Sequence, residues 1–160
     1  MEKRKAIYPG SFDPVTYGHL DLIERARVIF DHIYVVLSVN SEKETLFTLE
    51  ERLDFMKRAC RGMSRVTVET YEGLTVNYAK VKKAHSIIRG LRATSDFDYE
   101  FQMALTNRKL CKQVDTVFLM PSEKHFYVSS RLIKEIAFHK GELSDHVPDY
   151  VAKKLKEKFF

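Results

Sequence analysis

The chain has 160 residues, of which 27 are basic and 22 acidic, and its formal net charge is +5. This length suits one domain with a sizeable core, and we expect a single domain over residues 1–160. The polar N-terminus lacks the pattern of a signal peptide, and no stretch is apolar enough to cross a membrane, so we expect a cytoplasmic protein without a membrane partner.

Apolar, β-rich segments alternate with helical patterns along the chain. Strands are predicted over residues 6–8, 33–39, 65–71, 86–89 and 116–120. Helices are predicted from about residue 18 and over residues 48–60, 75–83, 95–110 and 129–138, with a last helix whose first turn contains Pro148. Five β-α repeats predict an α/β fold: a single doubly wound five-stranded parallel sheet with helices on both faces.

Local signals support these elements. Leu20, Ile23, Ala26 and Phe30 recur at helical spacing after the first strand. Thr48, followed three residues later by a glutamate, has the pattern of a capping box. Ligands of such sheets bind at the carboxyl ends of the strands, and the candidate functional residues follow strands in this way. They lie within residues 11–19, at residue 43, and within residues 89–92 and 122–131.

The connection from the first strand to the first helix is the most informative stretch. It reads Tyr-Pro-Gly-Ser-Phe-Asp-Pro-Val-Thr-Tyr-Gly-His over residues 8–19. Its glycines allow a close backbone approach to a ligand, and the helix N-terminus that follows favours an anion. His19 adds a donor that can reach phosphate oxygens. Taken alone, Gly18 and His19 would more simply be a tight turn whose histidine caps or packs.

Several other kinds of site lack their motifs. The sequence contains no Gly-x-Gly-x-x-Gly fingerprint, no Gly-Lys-Ser/Thr loop and no Gly-x-Ser-x-Gly elbow. The six histidines show no paired metal spacing. Cys60 and Cys111 lie far apart, which predicts buried, reduced thiols. Cationic and small polar residues at strand ends remain, and they suit electrostatic phosphate chemistry.

Thr16-Tyr17-Gly18-His19 resembles the T/H-x-G-H signature of the nucleotidyltransferase superfamily. The order and spacing of residues 47–52, 88–92, 98–100, 118–122 and 128–135 resemble those of the bacterial phosphopantetheine adenylyltransferases, over nearly the whole chain. The resemblance implies a Rossmann-like nucleotidyltransferase fold. It also implies transfer of the adenylyl group of ATP to 4′-phosphopantetheine, which gives dephospho-coenzyme A and pyrophosphate in coenzyme A biosynthesis.

The resemblance also implies roles for individual residues. It implies that His19 stabilises the transition state and that Lys43 and Arg92 act with it in catalysis. The residues implied to bind ATP are Ser11, Phe12, His19, Gly90, Leu91, Arg92, Glu100, His125, Phe126, Tyr127, Val128, Ser129, Ser130 and Arg131. Those implied to bind the acceptor are Ser11, Lys43, Thr75 (with Leu74 beside it) and Arg89.

The expected partners follow from the same resemblance. Mg²⁺ should arrive on the phosphates of ATP, because no protein cage for it is evident. Relatives assemble as homohexamers, dimers of trimers, and Phe97 and Phe101 hint at an interface. The family often has threonine at Ser11 and serine or threonine at Arg131. Some relatives carry tryptophan where this chain has His125-Phe126-Tyr127, so adenine stacking on His125 is a hypothesis.

Simpler interpretations stand beside these roles. Without the resemblance, Lys43 would be a solvated loop lysine, Glu100 a helix-surface glutamate, and Arg89 and Arg92 surface arginines. Ser129 or Ser130 would be an ordinary helix cap. The Thr-x-Gly-His motif also fits a nucleotidyltransferase that uses nicotinamide mononucleotide or glycerol 3-phosphate, although the Arg-Gly-Leu-Arg and Asp-Tyr-Glu segments argue against it. A nucleic-acid-binding module fits the basic charge, but the basic residues gather at strand ends instead of interleaving with aromatics, so we expect no nucleic-acid partner.

Overall fold

The computed structural model describes residues 3–39, 44–92 and 94–160. The strands are β1 (Lys5–Gly10), β2 (His32–Val39), β3 (Val66–Glu72), β4 (Ser86–Gly90) and β5 (Asp115–Leu119). The α-helices are α1 (Tyr17–Ile29), α2 (Leu49–Ala59), α3 (Thr75–Lys82), α4 (Thr94–Leu110), α5 (Ser130–Phe138) and α6 (Asp149–Phe159). A short 3₁₀ turn spans Glu123–His125.

The five strands form one parallel sheet in the order β3-β2-β1-β4-β5. The chain winds outward from β1 to β3 and then returns to place β4 on the other side of β1. The strand order therefore reverses between β1 and β4, where Ile7 lies beside Ile87. In open sheets of this kind, a crevice for ligands forms at the carboxyl ends of the strands that flank the reversal.

Helices cover both faces of the sheet, as the alternating pattern predicted. Ala6 and Tyr8 of β1 belong to the larger core, which also contains apolar residues of α1, α2, α5 and α6. Ile7, on the other face of the same strand, belongs to a second core with residues of α3 such as Val76. The fold is an α/β doubly wound sheet, which confirms the predicted class.

Local details confirm some expectations and correct others. At α2 the predicted capping box is present, with Thr48 N–H donating to Glu51 at 2.9 Å and Glu51 N–H donating to Thr48 at 3.2 Å. In the first helix the predicted Ile23, Ala26 and Phe30 are buried, whereas Leu20 is only partly buried and Leu22 is buried in addition. Pro148 is the N-cap of α6 and not a residue of its first turn.

Two further expectations concern cysteines and membranes. Cys60 and Cys111 are both free and buried, as predicted. Burial raises the pKa of Cys60 to about 11, so this thiol stays protonated. Within the described part of the chain, no helix combines the length and the apolar character that a membrane span requires.

Candidate active site

A capping box at the start of α1 positions His19. The N-cap is Thr16, whose Oγ1 accepts the backbone N–H of His19 at 3.4 Å. In return, the backbone N–H of Thr16 donates to Nδ1 of the His19 ring at 3.0 Å. Because an N-cap and its capping-box partner stand three residues apart, the Thr-x-Gly-His spacing is the spacing that this arrangement requires.

The same contacts decide which ring nitrogen of His19 carries the proton. Since Nδ1 accepts a hydrogen bond from Thr16, the neutral ring carries its proton on Nε2. Burial, and after it the positive charge of Arg92, lower the pKa of His19 to about 3. The imidazole is therefore neutral near pH 7, and its Nε2–H remains available as a donor in the cleft that His19 lines.

Two aromatic rings support His19 from the side of β1. The Phe12 ring meets His19 edge to face with centroids 5.0 Å apart, and Tyr8 meets Phe12 similarly at 5.3 Å. Phe12 has φ 47°, in the left-handed region that residues other than glycine seldom adopt. Gly10 makes room for this ring, because a Cβ there would lie 2.9 Å from it. The close neighbour that requires this glycine is thus a side chain of the protein.

Arg89, near the carboxyl end of β4, is held by a carboxylate. Its Nε and Nη2 donate to the two oxygens of Glu100 at 2.7 and 2.5 Å, and Nη1 donates to the Pro9 carbonyl at 3.3 Å. Burial alone lowers the pKa of Arg89, but the hydrogen bonds and charge of Glu100 outweigh it and raise the pKa. Glu100 is only 8% exposed, so its interpretation as a surface glutamate is wrong.

Ion pairs also hold two other cations of the site. Nε of Arg92 lies 3.4 Å from Asp96, and Nζ of Lys134 lies 3.0 Å from Asp13. Arg131 is exposed and makes no ion pair with the residues that the structure describes. The charged residues lining the cleft comprise four cations and three carboxylates, a formal excess of one positive charge: Arg89, Arg92, Arg131, Lys134, Asp13, Asp96 and Glu100.

Two buried charged residues tie the first loop to the segment before α2. Asp13 accepts the backbone N–H groups of Leu46 and Phe47 at 2.9 and 3.0 Å. Arg52 donates to the carbonyls of Ser11 and Phe47 at 2.8 and 3.2 Å. The backbone at Ser11 is therefore fixed by a contact 41 residues away in sequence. Lys43, the predicted acceptor clamp, lies outside the described residues.

The N-terminus of α5 contributes a second helix end to the cleft. Ser129 is the N-cap and accepts the N–H of Leu132 at 3.1 Å, while Ser130 donates to the Pro14 carbonyl at 2.7 Å. Capping by Ser129 is thus confirmed. Because an α-helix leaves its first N–H groups without intrahelical partners, this end can accept an anion while both hydroxyls stay engaged.

His125 packs beside the start of α1. Its ring lies 6.1 Å from that of Tyr17, tilted by 39°. Its Nδ1 is enclosed and has no hydrogen-bond partner among the described residues. Gly18 fits closely here, since a Cβ at Gly18 would lie 3.4 Å from the carbonyl oxygen of Val128 and 3.6 Å from that of His125.

These elements surround an open cleft of about 660 Å³ at the carboxyl ends of β1 and β4. Twelve of the predicted site residues line it: Ser11, Phe12, His19, Arg89, Gly90, Arg92, Glu100, His125, Val128, Ser129, Ser130 and Arg131. Leu91, Phe126 and Tyr127 do not line it, and Tyr127 is 78% exposed. At Gly90 a Cβ would lie 2.6 Å from Leu22, so this glycine, like Gly10, makes room for a side chain.

Thr75 lies in a neighbouring cavity of about 110 Å³. Pro9, Arg89 and Glu100 line both spaces, so the Arg89–Glu100 pair stands between them. The remaining lining is uncharged and mixes apolar side chains, such as Met103 of α4, with polar ones, such as Asn107. Leu74, named with Thr75 from the sequence, does not line either space and is 56% exposed.

Sequence reasoning missed some residues of the cleft. Tyr8, Asp13, Asp96 and Lys134 line it but were not predicted as site residues. Lys134 lies inside a segment that carried the family resemblance, and Asp13 lies in the connection over residues 8–19 that leads to the Thr-x-Gly-His motif, so their positions were an available signal. For Tyr8 the signal was its place just before the loop, whereas no sequence pattern distinguished Asp96 from a surface carboxylate.

The described residues offer no protein cage for a divalent cation. No group of three or more histidine, cysteine, aspartate or glutamate side chains comes together within the described ranges. Each acidic side chain of the cleft already forms an ion pair with an arginine or a lysine.

Known proteins resemble this chain in both sequence and fold. A Cytidylyltransferase-like family model matches residues 7–136. Two similar proteins are the phosphopantetheine adenylyltransferases of Carboxydothermus hydrogenoformans and Caldanaerobacter subterraneus subsp. tengcongensis. Each is 53% identical to this chain over 156 residues, or 98% of this chain. The match covers 96% of the first relative and 98% of the second. The nicotinic acid mononucleotide adenylyltransferase of Plasmodium falciparum, whose structure was solved with NaAD, has the same fold. The two structures align with a TM-score of 0.70 at 15% sequence identity, over 98% of this chain and 96% of that chain. The chain therefore belongs to the phosphopantetheine adenylyltransferase family.

Proposed function

We propose that this protein transfers the adenylyl group of ATP to the phosphate of 4′-phosphopantetheine, releasing pyrophosphate and forming dephospho-coenzyme A. The observation that carries the proposal is the neutral His19, whose Nε2–H is available in a cleft bounded by two helix N-termini. Family membership supports the identity of the acceptor.

The reaction needs alignment and charge stabilisation more than proton transfer. The acceptor phosphate has a second pKa of about 6, so near pH 7 it is mostly a dianion and needs no general base. One of its oxygens attacks the α-phosphorus, a new P–O bond forms, and the bond to the bridging oxygen breaks as pyrophosphate leaves. His19 Nε2–H donates to an α-phosphate oxygen as charge develops there.

The other predicted ATP contacts surround this point. We propose that the first N–H groups of α5, at Ser130 and Arg131, hold the β- and γ-phosphates, with Mg²⁺ carried on the nucleotide. Arg92 supplies positive charge on the side of α4, where Asp96 holds it at 3.4 Å. The remaining members of this proposed ATP set are Phe12, Gly90, Leu91, Glu100, His125, Phe126, Tyr127, Val128 and Ser129.

The smaller cavity suits the acceptor. Apart from Arg89 and Glu100, its lining side chains are uncharged, which fits an extended, uncharged arm, and Thr75 adds a hydroxyl there. Arg89 stands between the two spaces, where it can face the acceptor phosphate while Glu100 fixes its direction. We include Ser11 and Lys43 in the acceptor site on the basis of the family resemblance.

We propose that the protein acts in the cytoplasm as a homohexamer. Helix α4 supports association, because it leaves Phe97, Tyr99, Phe101, Met103 and Leu105 each at least 40% exposed. The Phe97 and Phe101 rings stack 5.6 Å apart on its surface. Exposed apolar groups of this extent usually mark an interface. Sedimentation velocity would test the assembly, and a monomer at micromolar concentration would contradict it.

The reaction is tested by pyrophosphate release from ATP and magnesium with a panel of acceptors. The panel contains 4′-phosphopantetheine, nicotinamide mononucleotide, glycerol 3-phosphate and no acceptor. Release that requires 4′-phosphopantetheine is the expected result. Release with a different acceptor would leave the adenylyl-transfer chemistry in place but contradict the acceptor assigned to Thr75 and Arg89. Absence of release from folded protein that binds ATP would contradict the proposed function altogether.

A further inference from the structure

Tyr8 is an aromatic residue at the floor of the cleft to which the proposed reaction assigns no task. It lies on β1, two residues before Gly10, on the sheet face that carries α1 and α5. Only 5% of the residue is exposed, and it lines the cleft together with His19, Arg89 and Arg92. Its ring also packs edge to face on Phe12.

The hydroxyl of Tyr8 has no hydrogen-bond partner within the described ranges of the chain. Buried phenols usually find one, so an unpaired hydroxyl in this position needs an explanation. Within the described ranges, the side-chain polar atoms that are both unpaired and fully enclosed belong to Arg27, Thr116 and His125. The Tyr8 hydroxyl is unpaired but is not one of these fully enclosed atoms. It therefore remains reachable from the cleft.

The surroundings suit a phenol that donates to an anion. Burial raises the pKa of Tyr8 well above its usual value, and nearby Arg89 and Arg92 only partly oppose this effect. The hydroxyl therefore keeps its proton at working pH. Three of the five N–H donors of Arg89 are directed at Glu100 and at a backbone carbonyl, and the Tyr8 hydroxyl is a further, uncommitted donor on this side of the cleft.

We infer that the Tyr8 hydroxyl binds substrate by donating a hydrogen bond to a phosphoryl oxygen held in the cleft beside His19. This inference rests on the proposed adenylyl transfer and adds a substrate-binding residue to it. The phosphoryl group belongs either to ATP or to the acceptor, whose phosphates meet at this point during the reaction. The two are distinguished by which substrate a change at Tyr8 affects.

The test is Tyr8→Phe, which removes the oxygen and retains the ring that packs on Phe12. Since a hydrogen bond to a charged group is lost, kcat/KM for pyrophosphate release should fall about 10- to 100-fold. Thermal unfolding should stay within about 2 °C of wild type, because no hydrogen bond inside the protein is lost. Titrating ATP and the acceptor separately shows which KM carries the loss.

Tyr34→Phe is the matched control. Tyr34 lies near the amino end of β2, away from the cleft, and its ring contacts His32 and Lys82. Removing its hydroxyl should leave kcat/KM unchanged. Tyr8→Leu separates the hydroxyl from the ring, because it removes both. If Tyr8→Phe keeps wild-type kcat/KM and only Tyr8→Leu loses it, the residue acts by packing and the inference is wrong.

The proposed function and the inference fail in different ways. Wild-type protein without turnover on any acceptor contradicts the proposed function. Calorimetric titrations with ATP and with 4′-phosphopantetheine then decide the inference, since Tyr8→Phe should still weaken the binding of one of the two, and unchanged binding of both overturns it. If the wild-type protein turns over and Tyr8→Phe has the same kcat and the same two KM values, the inference is wrong and the proposed function stands.

Discussion

His19 contributes to the protein through its two ring nitrogens separately, and two substitutions can separate these contributions. Nδ1 accepts the backbone N–H of Thr16 at 3.0 Å and so stabilises the start of α1. Nε2 carries the proton that we assign to transition-state stabilisation. His19→Ala removes both functions. His19→Gln retains an acceptor at the capping-box position, where glutamine is a standard partner, and retains an amide donor of different geometry.

The structure sets the expected magnitudes. Loss of a helix cap costs about 0.5–2 kcal/mol, and loss of the edge-to-face contact with Phe12 costs about 0.5–1.5 kcal/mol more. For a chain of this size that corresponds to a decrease in melting temperature of roughly 2–10 °C for His19→Ala. His19→Gln should keep the capping part of this stability. Loss of the transition-state donor should lower kcat about 10²- to 10³-fold in His19→Ala, with His19→Gln between it and wild type.

The assays are thermal unfolding by circular dichroism, pyrophosphate release at saturating substrates, and ATP binding by calorimetry. ATP binding should remain largely intact in both variants. Glu51→Ala is the matched control, because it removes the equivalent capping-box partner at α2 outside the cleft. It should lower the melting temperature and leave kcat unchanged. A His19→Ala protein that melts like wild type would refute the role of Nδ1, and one that retains full turnover would refute the role of Nε2.

Three further predictions concern pH, charge and packing. The pKa of His19 falls from an ordinary 6.5 to about 3 on folding, so between these pH values the unfolded chain binds a proton that the folded chain does not. The free energy of unfolding, measured by urea titration, should therefore fall by about 1–2 kcal/mol from pH 7 to pH 5. His19→Gln should show a smaller fall over the same range. Glu100→Gln should lower the free energy of unfolding by about 1.5–3 kcal/mol and raise the acceptor KM, because Arg89 loses a charged partner. An unchanged midpoint of urea unfolding would contradict this prediction. Gly90→Ala should lower the free energy of unfolding by about 1–3 kcal/mol, because the added Cβ would lie 2.6 Å from buried Leu22. A variant with the melting temperature of the wild type would show that Leu22 can move to make room.

Local patterns were enough to predict the architecture and the central motif. Strand and helix periodicities in alternation left a doubly wound parallel sheet as the consistent arrangement, and the observed strand order agrees with it. The three-residue spacing of Thr16 and His19 matched a capping box, which depends only on the geometry of one helical turn. Such features can be predicted because neighbours in sequence form them.

The sequence by itself therefore determined the fold class, the loop that carries His19 and the family. Only the tertiary structure decided that Arg89 holds Glu100 instead of standing free, and that Lys134 neutralises Asp13 across 121 residues. It also decided that Gly10 and Gly90 make room for the side chains of Phe12 and Leu22. These contacts depend on the strand order, which brings distant carboxyl ends of strands together, and no local periodicity encodes which charged side chains then meet.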